Sequence, residues 1–196
     1  MDTKIGRAKG SIFLNSRDYI VNSIGDSVWK LVLANLPEND AEFLEKNIVK
    51  SEWYPVTHLN NLVNTYDLIV GNGDFLSIAP IAEYIANKDL GPVFEVFLDL
   101  KNPQVILNSA PSLWSRYFDT GRVDVESIDI NDKSSTLVLY ELADETKASG
   151  VAICTFAVPE WFKTGLLMSG AGSVEITQTE CRYKGAESCR YEIKWE

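Results

Sequence analysis

Apolar positions recur at helical spacing through the first 119 residues and alternate with polar ones afterwards. In "NSRDYIVNSIG" the cap-type residues Asn15 and Ser16 precede Tyr19, Ile20 and Ile24 on one face, and Gly25 is a stop. "GDSVWKLVLANLP" repeats the pattern with Val28, Leu31 and Val32 and ends at Pro37. "NDAEFLEKNIV" sets an Asn39 cap before acidic residues, which suit the positive end of a helix. "YPVTHLNNLVNTYDLIV" stripes Leu59, Leu62, Val63 and Tyr66, and the next helix is expected to break or kink near Pro80. Pro111 divides "NPQVILNSAPSLWSRYFDTG" into two helices.

Beyond Gly121 the period changes to that of strands. "RVDVESIDI", "STLVLYELAD", "SVEITQTECRY" and "SCRYEIKW" read as four strands, with "NDKSS" a turn and "VPEWFKTGLLMSGAG" an inserted helix. The expected fold is α+β: a helical N-terminal layer over residues 1–119, then a small antiparallel sheet of about four strands with one inserted helix over 120–196. No linker composition separates the halves, so 1–196 counts as one domain.

The chain carries a net charge of −10, which argues against nucleic acid or an anionic membrane surface as partner. No uninterrupted apolar run of spanning length and no export signal is recognised, which predicts a cytoplasmic protein without membrane insertion. Cys154, Cys181 and Cys189 are then free thiols or metal ligands rather than a disulfide framework. Catalytic constellations are not found. His58 is the single histidine, "GNGDF" reads as a helix start, and "DTG" at 119–121 follows a helix and has no second copy. No enzymatic activity is expected. The aromatic residues are denser: Phe94, Phe97, Trp114, Tyr117, Phe118, Tyr140, Phe156, Trp161 and Phe162 fall on helices and strands of both halves. They either fill the core or line a pocket for a small apolar molecule.

The opening "KGSIFLNSRDYIVNSIGDSVWKLVL" with "WYP" resembles haem nitric-oxide/oxygen binding domains. The half from "STLVLYELAD" to "ECRYKGAESCRYEIKW" resembles the 4-vinyl reductase-type domain of phenol-sensing bacterial regulators. Both families share a superfamily with transport-particle tethering subunits. Together with "LWxRY", the pattern is similar to an uncharacterised myxobacterial family. The resemblance implies a pocket between helices and sheet, but not haem. The helix expected to carry an iron-ligating histidine, "SAPSLWSRYF", has none. The propionate motif Tyr-x-Ser-x-Arg is replaced by Tyr140-Glu141-Leu142-Ala143-Asp144, and an acidic Asp144 would repel porphyrin carboxylates.

The phenol sensors also imply a structural zinc on three cysteines and a glutamate. Cys154, Cys181 and Cys189 match the cysteines, while the glutamate position holds Gln178. A hairpin centred on Gly185 faces Cys181 with Cys189 but sets Thr177 and Thr179 against Ile193 and Tyr191. A shift that pairs Ile176 with Trp195 gives a cleaner apolar face and parts the cysteines, unless a bulge reconciles the two. Zinc and plain buried thiols both stay open.

Two functions follow. One is a haem-free sensory domain that binds a small apolar ligand and passes its signal to a separate partner. The other is a protein-interaction module, a homodimer or partner scaffold, with a solid core. A cavity on the order of several hundred Å³ favours the first.

Overall fold

The structure, a computed structural model, describes residues 6–98, 102–141, 143 and 146–196, without the side chains of 92–98 and 147. A short strand β1 (Arg7–Lys9) leads into α1 (Gly10–Tyr19), which continues as a π-helical turn (Ile20–Ile24) to Gly25 at φ 132°. Asn15 and Ser16 are therefore interior to α1 and buried, not caps as expected. Asn15 spends its amide across the fold, donating from Nδ2 to Asp89 Oδ1 at 3.2 Å.

Helices α2 (Asp26–Asn35) and α3 (Glu38–Glu45) follow, and Pro37 rather than Asn39 stands at the N-cap of α3. Strand β2 (Trp53–Pro55) pairs antiparallel with β1 and enters α4 (Val56–Val70) directly. This two-strand ladder is absent from the sequence reading because three residues carry no measurable alternation.

Helix α5 (Ala79–Leu98) starts at Ala79 after a 3₁₀ turn, so Pro80 lies in its first turn instead of kinking it. There its missing N–H costs nothing. Helices α6 (Gln104–Asn108) and α7 (Ala110–Tyr117) divide at Ser109, just before Pro111.

The sheet carries β3 (Arg122–Asp129), β4 (Ser134–Tyr140), β5 (Val174–Glu180) and β6 (Cys189–Trp195) in the order β3-β4-β6-β5, with antiparallel neighbours. The α+β fold, helices first and a four-stranded sheet after, is the one expected. On β6 Cys189, Tyr191, Ile193 and Trp195 are buried while Glu192 and Lys194 face outward, the period-two pattern of a sheet with one packed face.

Between β4 and β5 runs one helical stretch: α8 (Lys147–Val151), a π-helical segment (Ala152–Ala157) and α9 (Val158–Met168). It is entered by a capping box of Thr146 and Ser149. Residues Ala148–Met168 are long and apolar enough to cross a membrane, yet half of that run is buried inside the protein. A core helix meets the same description, and Gly165 shows how closely it packs. A Cβ there would stand 3.1 Å from Leu90 Cδ1 and 3.3 Å from Ile106 Cγ2, so glycine lets α9 approach α5 and α6.

Helical and sheet parts are tied at β1. Ala8 bridges Phe118, and Arg7 donates from its backbone N to Asp119 Oδ1 at 2.8 Å and from Nε to Oδ2 at 2.7 Å.

Candidate functional site

Apolar faces of several helices converge on one cavity. Helix α1 and its π turn bring Ile12, Ser16 and Ile20, while α4 brings Leu59, Leu62, Val63 and Tyr66. The start of α5 supplies Ile81, Ala82 and Ile85. Helix α7 and the residue after it contribute Leu113, Trp114, Tyr117 and Phe118. The opposite wall is Ile153 and Ala157 of the π segment with Val158, Trp161 and Phe162 of α9. The cavity volume is about 120 Å³. That falls short of the several hundred Å³ expected of a ligand site, but is close to the roughly 150 Å³ apolar cavity that stays dry and takes benzene or xenon.

Aromatic rings set its shape. Trp114 lies 4.6 Å from Phe118, and Trp161 meets Tyr117 edge-on at 5.9 Å and Phe162 at 5.2 Å. Trp114 Nε1 donates to the Thr120 carbonyl at 3.0 Å, which fixes its indole. The Tyr117 hydroxyl donates to Asp89 Oδ2 at 3.0 Å. Burial first and then the Asp89 charge push this phenol far above its ordinary pKa. Tyr66 is pushed up to about 12, by burial first and then by Tyr19 and Asp67.

Among the aromatic residues singled out from the sequence, Trp114, Tyr117, Phe118, Trp161 and Phe162 stand on this cavity. Tyr140 does not line it; at the end of β4 its ring lies 3.8 Å under the Arg122 guanidinium. Phe156 is half-buried in the π segment and also stands off the cavity. The side chains of Phe94 and Phe97 and the whole of Asp144 lie outside the described residues. Sequence reasoning missed the aliphatic half of the wall, Ile12, Ile20, Ile81 and Ile85, because a helical stripe that lines a cavity looks the same as one that fills a core.

His58 is on the other side of α4. Its Nδ1 donates to Asp40 Oδ1 at 2.5 Å, Asn61 donates to Oδ2 of the same carboxylate at 2.7 Å, and its ring stacks on Phe43 at 4.1 Å. It has no access to the cavity wall.

The three cysteines are brought together. All are buried, and their sulfur atoms lie within 4.8 Å of one another. The register explains how. Ile176 pairs with Ile193 and Val174 with Trp195, so the apolar faces match. That ladder is one step from the Gly185-centred pairing and, in the same direction, two steps from the Ile176–Trp195 one. A bulge between Gln178 and Glu180 then adds one residue, so that Glu180 meets Arg190 and Cys181 turns inward beside Cys189.

From the π segment, the Cys154 carbonyl accepts from Tyr191 Oη at 2.6 Å and from Gln178 Nε2 at 3.4 Å. Gln178 Oε1 accepts from Thr155 Oγ1 at 3.1 Å. The Cys189 thiol is brought down to about 6, chiefly by the hydrogen bond from Cys154, with the Arg182 backbone N–H adding to it at 3.5 Å. The same bond pushes Cys154 upward.

No family model matches the chain, and no curated protein is found to match it. Solved structures do match. An H-NOX protein from S. oneidensis in the Fe(II)NO state aligns at a TM-score of 0.69 and 15% identity over 96% of this chain and 99% of that one. The unliganded Fe(II) H-NOX protein from K. algicida gives 0.70 at 13% identity over 96% of each. The H-NOX from Shewanella woodyi, in the Fe(II)CO state, gives 0.65 at 10% identity over 94% and 93%. Across nearly its whole length, the chain has the fold of H-NOX domains.

Proposed function

We propose that this protein is a non-enzymatic sensory domain that holds a small apolar molecule, without haem, in the cavity between its helices. The observation that carries the reading is the cavity wall itself. Among the described residues it contains no histidine, cysteine, methionine, lysine or arginine. The only oxygen donors of phenol type, Tyr66 and Tyr117, are held protonated by burial. A haem would need an axial donor to its iron and cations for its propionates, and these walls do not fit that need. An interaction module with a solid core has no use for such a cavity.

The thiol cluster belongs to the same reading, and with it the kinship to 4-vinyl reductase-type domains. Cys154, Cys181 and Cys189 would hold a zinc ion that staples the hairpin to the π segment, with Gln178 or water in the fourth position. Thiolates around zinc stand about 3.8 Å apart, so the cluster needs only a small contraction. A cytoplasmic setting keeps such thiols reduced, and a homodimer would pass the signal on.

Native mass spectrometry with an absorption spectrum of the purified protein tests all of this. We expect a low-mass organic adduct, one zinc per chain, dimer mass and no Soret band. A Soret band at full porphyrin occupancy would overturn the haem-free reading, and a bare chain that takes up no apolar probe would overturn the sensor.

A further inference from the structure

A second space adjoins the apolar cavity. It is a cleft of about 430 Å³ lined by Lys9, Lys50, Asp89 and Arg116 among its charged residues, and it shares Leu113 and Tyr117 with the cavity. Tyr117 is the partition: its ring meets Trp161 on the cavity side, and its hydroxyl is held by Asp89 on the cleft side. Among the described residues the cleft holds three basic groups and one acidic group, a local excess of two positive charges in a chain whose net charge is −10. Asp89 is already served by Tyr117, by Asn15 and by Lys50 Nζ at 3.7 Å, so it makes only a partial claim on the cations around it. The cavity alone, at about 120 Å³, has room for little more than a ring or a few methylene groups.

We infer that the ligand is an amphipathic monoanion, its apolar end in the cavity and a carboxylate in the cleft among Lys9, Lys50 and Arg116. This rests on the cavity reading above and adds to it the charged end of the ligand. A monoanion suits the site better than a dianion, since Asp89 offsets one of the three cations. Cleft and cavity meet at one aromatic side chain, so an occupant that turns Tyr117 aside joins them into one tapered site, wide and charged at its mouth and apolar at its end.

The test compares decanoate with decanol, which share a chain and differ in one charge, by calorimetric titration and by quenching of Trp114 and Trp161 fluorescence. Decanoate is expected to bind about fivefold more tightly at low salt, the upper range for a solvent-exposed ion pair. The gap should shrink as salt rises. A Lys50→Gln/Arg116→Gln protein, changed only at exposed positions, should bind both chains with the affinity of decanol. Ala157→Phe, which fills the cavity, should abolish binding of both; Ala82→Phe fills it from the facing wall should the first variant not fold. Equal binding of the two chains, unchanged in the glutamine variant, overturns the charged end and leaves the cavity reading standing. Failure of both chains to bind, or binding that the cavity-filling variants do not disturb, overturns both.

Discussion

Three buried phenols carry a consequence for stability that a pH titration reads directly. Tyr66 moves from an ordinary pKa of 10 to about 12, and Tyr117 and Tyr191 are also raised well above 10, each chiefly because burial disfavours the charged form. A pKa raised by folding contributes stability that is fully present below the unfolded value and is lost as pH rises toward the folded one. For Tyr66 the window runs from 10 to about 12. The melting temperature should hold to pH 10 and fall steeply above it, and Tyr66→Phe should shallow the fall. A curve in Tyr66→Phe that overlays the parent's would show that this phenol contributes nothing to alkaline unfolding. Gly10 makes a sharper case of local fit. A Cβ there would lie only 2.1 Å from the Val49 carbonyl oxygen, a backbone atom that cannot rotate away. Gly10→Ala should therefore cost roughly 1–3 kcal/mol in urea unfolding, as the segment that closes the cleft is pushed off the start of α1.

At the level of elements, the bulge in β5 is what places the thiols. Removing Thr179 alone would keep Cys181 inward opposite Cys189, whereas a variant lacking both Thr179 and Glu180 sets Cys181 opposite Arg190 on the outer face. The variant should expose one thiol per chain to a thiol reagent, where the parent has all three buried, and should no longer bind the proposed zinc; three unreactive thiols in the variant would contradict this account. The same element shows what a sequence discloses. Alternation in "YEIKW" marks a strand with Tyr191, Ile193 and Trp195 inward, so the four strands and their buried face were legible. Their register was not, because it depends on one inserted residue whose placement only the packed partner decides. Asn15 misled for a related reason. It is a capping residue by type, but a partner 74 positions away on α5 holds it in mid-helix. The π segment at Ala152–Ala157 carried no signal of its own, although its Cys154 carbonyl is where the sheet is bound to the helix. The aromatic side of the cavity was legible from composition. Lys9 and Lys50 of the cleft were not, since they join Arg116 only after β1 and the loop before β2 have packed against α7.

For the whole molecule, the cavity is a place where stability has been left unclaimed. Five elements meet around an unfilled space, and each apolar side chain on its wall forgoes contacts that a filled core would give. A ligand that enters restores them, and because the unfolded chain offers no such site, binding must appear as stability. At a free concentration of a hundred times Kd the gain is about 2.7 kcal/mol. For a chain of this length that corresponds to a rise of roughly 5–10 °C in melting temperature. Decanoate should produce that rise in the parent protein and none in Ala157→Phe, whose own melting temperature should equal or exceed the parent's because phenylalanine supplies the missing contacts. A lower melting temperature in Ala157→Phe together with an undiminished ligand shift would mean that the space is not where the ligand goes. The variant then separates two properties that the fold joins. Filling the cavity should make a more stable protein that no longer responds, as expected if the space is kept open for recognition at a cost to packing.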